Sequence, residues 1–293
     1  MEETKRSPVF RVMIVVAFLL MVTINAFAML LPINGQTTAE VSDAYSNLFA
    51  PAGITFSIWS VIYILLAAYV VYQLVFFSKN RDSDTYGTMV KVGMVFILSS
   101  LVNAAWIFTW HYELFPASVI LIAVLLLCLI LISLFLRKKK LTFVEKVFVR
   151  LPFSIYFGWI TVATIANITT LLVSIGWSGS GLSEATWTIA MIIVGTLIAF
   201  ATVLFAGDPF YGLTVIWAFL GIVLKHLEPA GFDGQYMPIV FVTCGCIAIL
   251  LLEVLLIAVF GKLPTSAKKK DLPPEESIAT SSDTDTGNPP PEA

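Results

Sequence analysis

The sequence predicts an all-α, polytopic membrane helix bundle with about eight transmembrane helices. Three observations carry that expectation. Of the 293 residues, 58% are hydrophobic and only 12% are charged, against a usual charged share of roughly 25%. Apolar runs of about 18 residues or more, long enough to cross a hydrocarbon core, recur along the chain. With an even number of crossings, every one of the 17 basic residues except Lys225 falls on one side of the membrane, as the positive-inside rule requires.

In order, the expected spans are Val9–Leu31, Ile54–Phe77, Met89–Trp110, Leu114–Leu136, Val147–Ser174, Trp187–Ala206, Phe210–Leu227 and Met237–Phe260. The first is longer than the apolar core of a signal peptide and no small-residue cleavage site follows it, so it reads as a span. The seventh is short and ends on Lys225 and His226. Trp110 to Leu114 and Gly207 to Pro209 are tight turns, which make their flanking spans antiparallel neighbours. Pro32 to Gly53 is the longest loop between spans, and its Tyr45 and Phe49 leave two readings, a folded lid or a spacer.

The basic residues place both termini in the cytoplasm and suit a multi-pass protein of the plasma membrane. Residues 1–8 form a cytoplasmic N-terminal segment. Residues 261–293 are rich in Pro, Ser, Thr and acids and lack aromatics, so a disordered cytoplasmic tail is expected. A net charge of −2 gives no field that would recruit nucleic acid. Cys128, Cys244 and Cys246 read as buried small hydrophobes, since Cys-Gly-Cys without further ligands builds no zinc site. No metal site is expected, and no acid, base and nucleophile gather in one span, so no catalytic residue is assigned.

Polar residues inside the spans are the functional signal. Thr55, Trp59 and Tyr63 recur every four residues, as one wall of a pocket or as an interfacial aromatic anchor. Ser99, Asn103, Trp106 and Trp110 share one face of the third span; Tyr156, Trp159, Ala163, Asn167 and Thr170 share one face of the fifth. An Asn in hydrocarbon is costly without a partner. These amides therefore either join helices or bind a ligand in an aromatic cavity. Glu253 is the only acidic residue deep in a span, a candidate for proton coupling or a protonated structural carboxyl. His111 and His226 lie near span ends, which gives histidine ligation of a haem little support.

Ala50-Pro51-Ala52-Gly53 followed by Trp59 and Tyr63, then Asn103-Ala-Ala-Trp106, then Trp159-Ile-Thr-Val-Ala163-Thr164-Ile-Ala-Asn167, resembles the TspO family of tryptophan-rich sensory or translocator proteins. The resemblance covers residues 9–175 and marks an extended or divergent relative. It implies a five-helix membrane domain over 9–175 whose first loop closes a ligand pocket, with 187–260 as three additional helices. It also implies binding of a tetrapyrrole (porphyrin or haem) or another flat apolar ligand at Trp59, Tyr63, Asn103, Trp106, Trp159, Ala163 and Asn167, with no cofactor required. The implied partners are the lipid bilayer, a small apolar ligand and, as an open alternative, a second copy in a homodimer. Three departures stand out. Ala50 replaces the first of a Pro pair, Pro152 lies further from Trp159 than in the family, and Ile-Thr-Thr after Asn167 lacks the sterol-recognition motif of animal members. Sterol binding is therefore not implied. The alternative function is an ion- or proton-coupled secondary transporter that uses all eight spans, although no repeat relates the two halves. A membrane component of a larger complex, with no ligand of its own, is a third reading.

Overall fold

A computed structural model describes residues 8–79, 85–177 and 179–260. The expected N-terminal segment before Pro8 and the tail 261–293 lie outside the described residues. Among these residues there is no strand. The helices are α1 (Pro8–Leu30), α2 (Thr38–Ala44), α3 (Ile58–Lys79), α4 (Tyr86–His111), α5 (Phe115–Arg137), α6 (Phe143–Glu145), α7 (Leu151–Ser174), α8 (Glu184–Ala206), α9 (Pro209–Leu227) and α10 (Met237–Phe260). All but α2 and α6 belong to the 8 segments long and apolar enough to cross a membrane. Even α9, with 19 residues, extends about 28 Å and so matches a hydrocarbon core of about 30 Å.

Local chemistry sets the ends of these helices. Thr37 and Glu40 form a reciprocal capping box at α2, and Thr142 and Glu145 form another at α6. Pro152 has no N–H for the carbonyl four residues back, and the backbone widens into a π turn at Lys146–Arg150 just before it. Gly207 adopts the left-handed conformation at φ 60° and closes α8. Asp208 then accepts from the Phe210 N–H at 3.2 Å and opens α9 over Pro209.

One helix starts later than its side-chain pattern suggests. Gly53–Ser57 is a 3-10 turn and α3 begins at Ile58. Thr55 therefore does not continue the Trp59–Tyr63 face, because a 3-10 turn rotates each residue further than an α-helix does. Cys244 is a second correction. Cys128 and Cys246 are buried but Cys244 is exposed, since residues two apart on a helix point about 200° apart and cannot share the core face.

Five helices close into a ring: α1 packs on α4, α4 on α5, α5 on α7, α7 on α3 and α3 back on α1. Against the outside of α7 lies α9, which packs on α10, and α8 rests on both. The outward faces are apolar and exposed, for example at Val12, Leu19, Ile64, Leu127, Leu197 and Leu252. Such a belt suits lipid rather than water.

The α7–α9 contact is close because Gly158 has no side chain. A Cβ there would meet the Tyr211 carbonyl oxygen at 2.7 Å and the Thr214 Cβ at 2.8 Å. Gly158→Ala should overpack the contact and cost roughly 1–3 kcal/mol, seen as a lower thermal unfolding midpoint in detergent. Gly87→Ala is the control, since a Cβ there meets nothing within 4 Å; it should leave the midpoint unchanged or raise it, because Ala favours a helix over Gly.

Candidate functional site

The loop between α1 and α3 folds back over one end of the ring as a packed lid. Leu48, Phe49, Ala50 and Ala52 bury almost completely. Polar contacts pin the lid at both sides. Toward α4 and α5, the Trp110 indole N–H donates to the Thr38 carbonyl at 3.1 Å and the Asn34 amide to the His111 carbonyl at 2.9 Å. The Tyr45 hydroxyl donates to the Glu113 carboxylate at 2.7 Å, which holds the phenol above its ordinary pKa, while the Tyr45 ring meets Phe115 edge-on at 4.6 Å. Toward α9, the Ala52 N–H donates to the Gly221 carbonyl at 3.0 Å and the Trp217 indole to the Thr55 carbonyl at 3.1 Å. Lys225 pairs with Asp43 at 3.0 Å.

Under the lid lies an aromatic cavity of about 40 Å³. Its bundle side is lined by Trp59, Trp106, Trp110, Trp159, Ala163 and Asn167, and its lid side by Thr38, Ser42, Pro51 and Phe56. Trp59 is the hub. Its ring centroid lies 6.1 Å from both Trp106 and Trp159, 6.0 Å from Tyr156, and 5.5 Å from Tyr63, on which it stacks. Phe56 of the lid meets Trp159 edge-on at 5.8 Å. These separations are the ordinary ones for attractive ring pairs.

Three polar atoms on this cavity have no hydrogen-bond partner among the described residues: Trp106 Nε1, Trp159 Nε1 and Asn167 Oδ1. Their side chains are buried. Asn167 spends its amide N–H on the Ser118 hydroxyl at 2.9 Å, which fixes the carboxamide and leaves its oxygen open. Two donors and one acceptor thus belong to residues of one cavity wall. Each would cost about 1–3 kcal/mol if nothing met it.

The sequence-predicted residues divide into two groups. Trp59, Trp106, Trp159, Ala163 and Asn167 line the cavity together. Tyr63 and Asn103 stand beside it. Tyr63 backs the Trp59 ring, and its hydroxyl is buried without a partner. Asn103 sits in a buried chain across three helices: Asn25 of α1 donates to its carbonyl at 2.7 Å, and its own N–H donates to the Tyr156 hydroxyl of α7 at 2.9 Å. Sequence reasoning did not single out Asn25 or Ser118, or bring Thr38, Ser42 and Phe56 to the cavity. An amide in the first span was a legible signal; the lid residues had none, because their placement depends on how the loop folds back.

Glu253 lies apart from this site, buried in α10. His111 and His226 each contact the carbonyl four residues back through Nδ1, at 2.8 and 2.9 Å. Among the described residues no three His, Cys, Asp or Glu side chains gather as metal ligands.

An aromatic cavity inside a ring of helices, capped by the first loop, defines an integral membrane protein of the TspO type. The chain belongs to the TSPO-like protein family, whose model matches residues 11–257. The match runs through α8, α9 and α10, beyond the 9–175 over which the motifs were legible. The reason is physical: the aromatic and amide faces sit on α3, α4 and α7, whereas α9 serves the site through Gly221 and Trp217, which form no such pattern. No curated protein and no solved structure matches the chain.

The amide chain makes a stability prediction. Asn103→Ala strands Asn25 and Tyr156, and should cost roughly 0.6–2 kcal/mol. A double-mutant cycle of Asn25→Ala with Asn103→Ala, read by thermal unfolding, should show the pair costing less than the sum of the two. Strict additivity would mean the amides act independently.

Proposed function

We propose that this protein is a TspO-type membrane receptor or carrier that binds a flat, apolar ligand of tetrapyrrole character under its lid. Trp59, Trp106, Trp159, Ala163 and Asn167 would contact the ligand, with Tyr63 and Asn103 bracing that wall. The observation that carries the reading is the set of unpartnered indole N–H groups and one amide oxygen around an aromatic space. Stacking faces with a few polar anchors suit a planar conjugated ligand. A cavity of about 40 Å³ is far below the roughly 300–1,000 Å³ of ligand pockets. Binding therefore requires the lid to lift and the Trp59 cluster to open.

The test is a titration of the purified protein with protoporphyrin, read by quenching of tryptophan fluorescence. Trp59→Ala, Trp106→Ala and Trp159→Ala should each weaken binding by about 1–3 kcal/mol. Unchanged affinity in all three folded variants would reduce the aromatic faces to helix packing.

A second reading, a proton-coupled transporter, rests on Glu253, a carboxyl buried inside a membrane-spanning helix. On that reading Glu253→Gln abolishes the pH dependence of transport while leaving the fold intact; transport that keeps its pH profile removes it. On either reading the basic residues favour cytoplasmic termini. Cysteines placed in the lid and in the C-terminal tail should label from opposite sides of intact cells, and labelling from the same side would overturn the eight-span topology.

A further inference from the structure

A cavity far larger than the one under the lid lies elsewhere among the described residues. A crevice of about 690 Å³ opens between α5, α7 and α8. It exists because α8 rests on α9 and α10 and touches α5 and α7 only sparsely. Leu126, Ile130 and Leu134 form one wall, Ile165 and Ile168 a second, and Ile198 faces them. Four of the hydroxyl residues that line the crevice are engaged within the protein. Thr161, Thr164 and Thr169 donate to their own helix four residues back, at 2.9, 2.7 and 3.0 Å, and Tyr211 donates to Thr161 at 3.1 Å. The interior therefore offers a mainly apolar surface. Its neighbours on α7 toward the lid cavity, Ala163 and Asn167, face the other way.

One end of the crevice is cationic. Arg137 lines it, lies over the Phe205 ring at 3.5 Å and donates to the Phe205 carbonyl at 3.0 Å. The carboxylate at this end is Asp208, held by Arg150 at 3.2 Å and by the Ser154 hydroxyl. Among the described residues the ion pairs are Arg150–Asp208 and Lys225–Asp43, so no carboxylate compensates Arg137. Its guanidinium keeps donors in a fork that matches a phosphate, and exposed Lys138 and Lys140 follow it. From Arg137 back to Leu126 the helix runs about 17 Å, close to one leaflet of a hydrocarbon core of about 30 Å.

We propose that this crevice binds one anionic phospholipid, an acyl chain lying between α5, α7 and α8 and the phosphate seated on the outer face of Arg137. The volume and apolar walls fit a hydrocarbon chain, the length fits one leaflet, and the charge at its mouth selects an anionic headgroup over a zwitterionic one. An empty crevice of this size in hydrocarbon would forfeit the dispersion contacts of its walls. The site is separate from the lid cavity and does not depend on what that cavity binds.

The test uses the full chain in detergent, with phosphatidylglycerol and phosphatidylcholine of identical acyl chains, and counts retained lipids by native mass spectrometry. The wild type should retain one phosphatidylglycerol in preference to phosphatidylcholine. Arg137→Gln should lower that preference about tenfold. Ala201→Phe, which fills the crevice from α8, should lower retention of both lipids while porphyrin quenching at the lid cavity stays as in wild type. If Ala201→Phe does not fold, Ile130→Trp fills the crevice from the other wall. Equal retention of the two lipids, an intact preference in Arg137→Gln, or undiminished retention in the filled variants would each overturn the proposal. So would Arg137-dependent displacement of the lipid by protoporphyrin, which would make the crevice a site for that ligand.

Discussion

A polar group in hydrocarbon has no water to fall back on, and this constraint organises the molecule. Hydroxyls along α7 bond their own helix carbonyls at Thr161, Thr164 and Thr169. Where a side chain is too polar for that, it reaches across helices, as in the chain from Asn25 through Asn103 to Tyr156. That chain ties α1, α4 and α7, three members of the ring, at one depth, and so holds the Trp59 cluster beside it in register. Exceptions exist at single atoms, including Gln73 Oε1, His111 Nε2 and His226 Nε2. Three of the exceptions fall on one cavity, and this concentration separates the lid site from ordinary packing imperfections.

The lid couples the two helix groups. Its first half is fastened to α4 and α5, its second half to α9. Gly221 permits the second attachment, because a Cβ there would collide with Thr55 and Pro51. The helices α8 to α10 are therefore part of the site's support. A five-helix ring alone would leave the Pro51–Thr55 stretch without the carbonyl and the indole that hold it.

Much of this was legible in the sequence. Eight spans follow from apolar run length and charge placement, because the bilayer imposes both directly. Trp59, Trp106, Trp159, Ala163 and Asn167 could be assigned to one cavity because helical spacing puts each set on one face. Spacing does not say which way that face turns relative to its neighbours. Asn103 shares a face with Trp106, yet its amide is taken by Asn25 and Tyr156. The 3-10 turn at Gly53–Ser57 and the outward side of Cys244 were missed for a similar reason: pattern gives periodicity, while phase depends on packing. The crevice beside α8 left no mark in the sequence at all, since a gap between helices is a property of how they diverge.

On the function proposed, the closed cavity would also limit how tightly a ligand binds. Apparent affinity falls by the fraction of molecules in the open state, and opening breaks the lid's contacts on one side or the other. The exposed Lys225–Asp43 pair adds little to that cost, as surface pairs do. The buried Phe49 and Leu48 and the indole hydrogen bond on the side that opens add more. Opening on the α9 side would release Thr55 and Ala52 while leaving Trp110 on Thr38. The unpartnered indoles work in the opposite direction: each costs free energy while the cavity is shut and is relieved when a ligand or water meets it. The lid's own contacts thus oppose opening and the stranded polar atoms favour it, and on the function proposed the balance between these two terms would set the affinity.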